Sequence, residues 1–471
     1  MKKYLLKSLR LVIYLTLLVL FSCISRDSKL IKADDGSRDL AQILTEGKIV
    51  AVTNFESLNF FIYKGEPMGF QYEMLLSLAK NLGVKLELIS EKDSKESIKM
   101  LKSGEVDIVA CNFGCNSTLD KTIARTIPHR STRQVLIQRK DFGEIGEFKS
   151  QFITNPRDLA GKEIFINKGS LAELVVKEFS KQTNSEIKIL EKSLDDADQL
   201  FDLVSSGKAD YAVCDEDIAK IYASIYSNTD ISTQIGDEQA VSWLISSKSP
   251  DLQRKINEWL TNYTASNEFR NLSAKYFENP YIPVMVKSDF FYTNKGRISM
   301  FDEQIKAESR KINWDWRLLA SLIYQESKFN PYVRSESGAY GLMQFMPNTA
   351  QYMGIEHESN PSTQLIMGVR YLKMLEKSME DIKIPEEERL KFVLAAYNAG
   401  YGHIIDARNL ARKFGKDPNK WDNNVGFFIQ NKTEFYNDTV VRYGYLRGRE
   451  TYQYVADILE RYERYKNIVK E

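Results

Sequence analysis

The sequence predicts a multidomain chain, in which an α/β two-lobed domain is followed by a mostly α domain. Three observations carry that reading. A length of 471 residues suits two or three domains. From Gly47 to Asp215, short β-rich runs alternate with amphipathic stretches, which implies α/β lobes with mostly parallel sheets. After Met300 the pattern turns to nearly continuous helix, with glycine and proline gathered in short turns. The charge balance of 65 basic and 64 acidic residues, net +1, argues against nucleic acid as a partner.

Residues 1–23 read as an export signal. Lys2, Lys3, Lys7 and Arg10 precede an apolar run too short to span a bilayer comfortably. The run ends Leu20-Phe21-Ser22-Cys23, which resembles the lipobox of bacterial lipoproteins, with Phe21 standing where a small or β-branched residue is usual. The resemblance implies lipidation of Cys23. Ile24 after it, rather than an acidic residue, implies a lipid anchor in the outer membrane, with the protein facing the periplasm. A plain export signal with an incidental cysteine is the alternative. Residues 24–44 are polar and charged, a tether. Cys111 and Cys115 could close a short disulfide in an oxidising envelope, or remain small buried thiols. They lack a matching second pair, so neither a metal site nor a cofactor is expected.

Residues 45–267 carry the alternation. KIVAVT is a strand, EPMGF leads into the helix YEMLLSLAKNLG, and VKLELIS is the next strand. SKESIKMLKSGEVDIVA gives helix, glycine and strand. The order returns as GKEIFINKGS, a helix from Leu171, KIL, and DDADQLFDLVSSGKADYAVCD, so SGEVDIVA and SGKADYAVCD look like one unit used twice. With Glu66-Pro67-Met68-Gly69-Phe70, Pro128, Asp158-Leu159-Ala160-Gly161-Lys162 and Asp215, this half resembles the extracellular solute-binding proteins that capture amino acids. The resemblance implies a first lobe over about 45–140, a second over 141–237, and a ligand cleft between them. Asp215 matches the acid that holds a ligand's α-amino group. The arginine that clamps the α-carboxylate in that family falls at Leu119 here, with Lys121 and Arg125 nearby but offset. The implied ligand is amino-acid-like or a muropeptide; a spacer with no ligand is the alternative. Residues 268–300, with the prolines of NPYIPVMV, read as a linker.

The helical domain, residues 301–471, is organised around NWDWRLLASLIYQESKFNP. Asn313 or Asp315 can cap a helix there. Leu319, Leu322, Ile323 and then Glu326 recur at helical spacing, which puts a carboxyl on the buried face. The Asn330-Pro331 step stops the helix. Burial and the negative end of the helix dipole both favour a protonated Glu326, as a general acid needs. Three further clusters follow: Gly338-Ala339-Tyr340-Gly341-Leu342-Met343-Gln344, Ala395-Ala396-Tyr397-Asn398-Ala399-Gly400, and Glu450-Thr451-Tyr452-Gln453-Tyr454. The glycines of the first allow close approach of backbone to a ligand.

In this order, Glu326-Ser327, Gly341-Leu342-Met343-Gln344, Ala396-Tyr397-Asn398-Ala399-Gly400 and Tyr454 resemble the catalytic domain of the soluble lytic transglycosylases, over residues 310–465. That resemblance implies a fold like goose-type lysozyme. It implies cleavage of the MurNAc–GlcNAc bond of peptidoglycan glycan strands without water. Glu326 is the implied acid and then base, and Tyr454 orients it. Met343, Gln344, Tyr397 and Asn398 line the glycan groove. Ser327 steadies the N-acetyl end or caps the helix. Tyr452 stands where the family often has arginine. Glycosidases mostly need two carboxyl groups, and the glycine-rich and Tyr-Asn clusters contain no second acid. Closure of a 1,6-anhydro ring by the sugar's own C6 hydroxyl dispenses with it. The alternatives are a lysozyme-like hydrolase of the same bond and a wall-ligand sensor with an inert catalytic domain. His129, His357 and His403 form no evident triad.

Overall fold

The computed structural model describes residues 36–469, apart from 55–57, 115–119, 141–151, 195, 294–295, 355 and 357. Cys23, Cys115, Leu119 and His357 therefore lie outside the described residues, and with them the lipidation, disulfide and carboxylate-clamp expectations. Within the stretch read as tether the fold has already begun. Asp39 caps helix Leu40–Glu46 through a reciprocal pair with Gln42, and the Arg38 guanidinium bonds Asp107 and Glu46.

The first lobe contributes β1 (Lys48–Thr53), a hairpin of β2 (Phe61–Tyr63) and β3 (Glu66–Met68), then β4 (Lys85–Ser90), β5 (Ile108–Gly114), β6 (Ile123–Arg125) and β7 (Arg130–Arg139). The second contributes β8 (Glu163–Asn167), β9 (Lys188–Lys192), β10 (Ala212–Asp215) and β11 (Thr229–Asp230), before β12 (Gln234–Ser246) returns. The twice-used unit is visible as helix Ser94–Lys102 before β5 and helix Asp198–Ser205 before β10. Each lobe has a parallel centre, β4-β1-β5 in one and β10-β8-β9 in the other. The sheet as a whole is mixed, because β7 and β12 run antiparallel between the two centres and join them in the order β4-β1-β5-β12-β7-β10-β8-β9. The register of β12 shifts between Ile235 and Gln239 and again between Ser242 and Leu244. Such irregularities bend a strand, and here they turn it from one lobe to the other.

Residues 268–293 fold against this half, with β13 (Phe291–Tyr292) pairing antiparallel with β2, while Ile298 enters the core of the helical domain. The helical domain then gathers around helix Trp316–Ser327, which packs on Asp302–Ser309 and Gly448–Ile468. Helices Pro361–Asp381, Glu386–Ala399 and Tyr401–Lys413 complete its core.

The hairpin β2–β3 forms one part of the joint between the halves, and helix Gly448–Ile468 on β4 forms another. Gly65 at its turn has φ 80°, and a Cβ there would lie 2.4 Å from the Phe329 ring, so only glycine permits the seat. Tyr465 Oη donates to Gly65 O at 2.7 Å. Glu66 faces Arg461 at 3.5 Å and Arg464 at 3.7 Å.

Candidate active site

Asp315, rather than Asn313, caps the central helix, accepting from Arg317 N at 2.9 Å. Leu319, Leu322 and Ile323 are buried, and Glu326 lies one turn further along the same face. The helix ends before the proline step can act. Lys328 and Phe329 take left-handed backbone, with φ 50° and 62°. A bulky residue there is strained, and the burial of Phe329 beneath Gly65 holds it in place.

Glu326 is partly buried. Tyr454, from the closing helix Gly448–Ile468, donates a hydrogen bond to its Oε1. Burial pushes the Glu326 carboxyl up to about 7, against the smaller downward pull of that bond. No second carboxylate acts on it among the described residues. Tyr397 and Tyr454 are themselves held well above the usual phenol range, first by burial and then by the nearby Glu326 charge. The group can therefore carry a proton near neutrality and give it up without another acid in attendance.

The groove beside it is an open cavity of about 600 Å³ lined by Asn398, Tyr454, Gln325, Tyr452 and Arg449 among others. Tyr397 Oη donates to Met343 O at 2.7 Å. Gln344, at φ 47°, is half-buried and donates from Nε2 to Gly341 O at 2.8 Å and Val333 O at 3.1 Å. Met343 departs from expectation: its side chain is fully buried, packed where Gly368 has no Cβ, and what it offers Tyr397 is its backbone carbonyl rather than its thioether. Ser327 is buried too. Its hydroxyl donates to Leu342 O at 3.0 Å and so ties the helix end to the glycine-rich loop.

A second concavity of about 270 Å³ opens between the lobes, lined by Asp215, Gln134, Lys95, Lys168, Cys111 and Cys214 among others. Asp215 caps helix Glu216–Ile225 by accepting from Asp217 N at 3.1 Å, and accepts from Thr132 Oγ1 at 2.8 Å. Burial raises its carboxyl, with Arg130 opposing.

Residues 303–420 match the family described as the transglycosylase SLT domain, and residues 48–279 match bacterial extracellular solute-binding proteins, family 3. The chain joins a family 3 solute-binding domain to a transglycosylase SLT domain. Relatives over nearly the whole length include the membrane-bound lytic murein transglycosylase F of Desulfosudis oleivorans, 29% identical over 90% of this chain and 91% of that one. Those of Pseudomonas fluorescens (28%, 91% and 87%) and Vibrio cholerae (29%, 90% and 80%) are similar. A mutant of ArgBP from T. maritima resembles 51% of the chain, and 99% of its own, at 21% identity and a TM-score of 0.44.

One residue of the SLT domain escaped the sequence reading. Gln364, on helix Pro361–Asp381, is buried; it accepts from Leu342 N at 2.7 Å and donates to Ser359 O at 2.6 Å and Pro331 O at 3.2 Å. It thus clamps the glycine-rich loop to the turn after Glu326. The close approach that glycine allows at Gly341 is made by this side chain, since a Cβ there would lie 2.2 Å from Gln364 Oε1. The only signal in the sequence was a glutamine one residue before an apolar run at helical spacing, which is weak. Tyr454 lies beyond the matched SLT residues, supplied by the last helix.

Proposed function

We propose that the protein is a peptidoglycan lytic transglycosylase that cleaves the MurNAc-β-1,4-GlcNAc bond without water. One observation carries the reading: Glu326 is held proton-ready by burial, with Tyr454 on its carboxyl and, among the described residues, no second carboxylate acting on it. In the first step Glu326 gives its proton to the glycosidic oxygen as the bond from C1 breaks. The carboxylate left behind takes the proton of the MurNAc C6 hydroxyl. O6 then bonds to C1 and closes the 1,6-anhydro ring, so acid and base are one group in two states. Tyr454 orients it, and Gln344, Tyr397 and Asn398 hold the glycan.

The lobe cleft takes a small amino-acid-like or muropeptide ligand at Asp215, and the mature chain is lipid-anchored through Cys23 at the outer membrane, facing the periplasm. The name of the relatives supports membrane attachment, and among the described residues no helix is long and apolar enough to cross a membrane. Digestion of purified sacculi with mass analysis of the products tests the chemistry. Products lacking one water at the muramyl end are expected, and fully hydrated reducing ends would make the protein a hydrolase. Glu326→Gln should abolish activity with folding kept; undiminished lysis by that variant would overturn the assignment. Calorimetry with amino acids and muropeptides tests the cleft.

A further inference from the structure

Asn398 stands in the groove wall beside Tyr454. A side-chain amide accepts at one end and donates at the other, so its use depends on which end is held. The Thr451 hydroxyl donates to Asn398 Oδ1 at 2.7 Å. Thr451 is only 2% exposed, and it lies on the closing helix three residues before Tyr454, a spacing that puts both side chains on one helix face. Helix Gly448–Ile468 packs directly on helix Glu386–Ala399, which carries Asn398, and on the helix of Glu326.

We propose that Thr451 is a positioning residue for saccharide recognition. By donating to Oδ1 it holds the Asn398 amide in the observed orientation, which leaves the Nδ2 protons for the groove, as donors to an acceptor oxygen of the bound glycan. A 2-acetamido carbonyl has the matching chemistry. One helix face then sets two things at once: Tyr454 aims the acid, and Thr451 aims the amide that reads the sugar. Without the hydroxyl the amide is free to turn and offer an acceptor to an acceptor. The inference rests on the glycan-cleaving reading only in taking the ligand oxygen to be a sugar's.

The test is steady-state kinetics of the full chain on soluble uncrosslinked glycan, comparing Thr451→Val, Thr451→Ser and Asn398→Asp. Thr451→Val should raise KM about tenfold, as loss of one hydrogen bond does, with the pH profile of kcat unmoved. Thr451→Ser, which keeps the hydroxyl, should restore KM. Asn398→Asp should raise KM by at least as much. The double variant Thr451→Val with Asn398→Asp should be no worse than Asn398→Asp alone, a cycle that stays informative if valine also lowers the melting temperature. An unchanged KM in Thr451→Val, no rescue by serine, or strictly additive effects on KM would each overturn the proposal. Activity in Glu326→Gln would instead sink the catalytic reading, so the two failures are separable.

Discussion

A carboxyl group that keeps its proton inside a fold to about pH 7 weakens that fold at higher pH. For Glu326 the unfolded chain ionises near 4.5 and the folded one near 7. Between those values the folded state binds more protons than the unfolded, so stability falls as pH rises and levels off above about 7. At about 1.4 kcal/mol per pH unit the ceiling on the cost is about 3–4 kcal/mol, and the cost is less because the side chain is partly exposed. Glu326→Gln should accordingly melt above the wild type at pH 8 and level with it at pH 4, which a calorimetric pair would show. Activity should decline as pH climbs through about 7 and the acid is lost. Gln364 gives the opposite case, a polar group the fold depends on. Gln364→Leu strands Leu342 N and two carbonyls. A loss of at least about 3 kcal/mol is expected, at about 1–3 for each of the three orphaned groups, read by denaturant titration.

At the scale of elements, the closing helix Gly448–Ile468 does the aiming. Its Tyr454 bond pulls the Glu326 carboxyl down, so Tyr454→Phe should move the alkaline limb of the kcat profile to higher pH while lowering its plateau; a limb moved to lower pH would contradict this. The elements were largely legible in the sequence, since helical spacing from Leu319 through Glu326 and the strand–helix alternation depend on neighbours along the chain. What escaped were pairings with distant partners. The resemblance puts Met343 in the groove, and nothing near it in the sequence announces Gly368, the notch that takes its side chain. EPM was read as the approach to a helix because its strand partners, β2 and through it β13, depend on a segment that looked like a linker. The mixed sheet was missed for the same reason, since β7 and β12 find each other only across two lobes.

Across the whole molecule, the two halves meet through the tip of a hairpin and through helix Gly448–Ile468, which packs on β4. Gly65→Ala should unseat the hairpin, because a methyl group meets the Phe329 ring and the backbone is left-handed. A melting temperature lowered by several degrees, or one transition divided into two, is the expected scan; an unshifted single transition would refute that view of the joint. The joint has a practical corollary for anyone cutting the gene. A fragment beginning near Met300 would leave Tyr324, Phe329 and Tyr465, all buried here, with no hairpin over them. An isolated lytic fragment is therefore born sticky, and polar replacements on that bared aromatic patch are the first remedy to try when it precipitates.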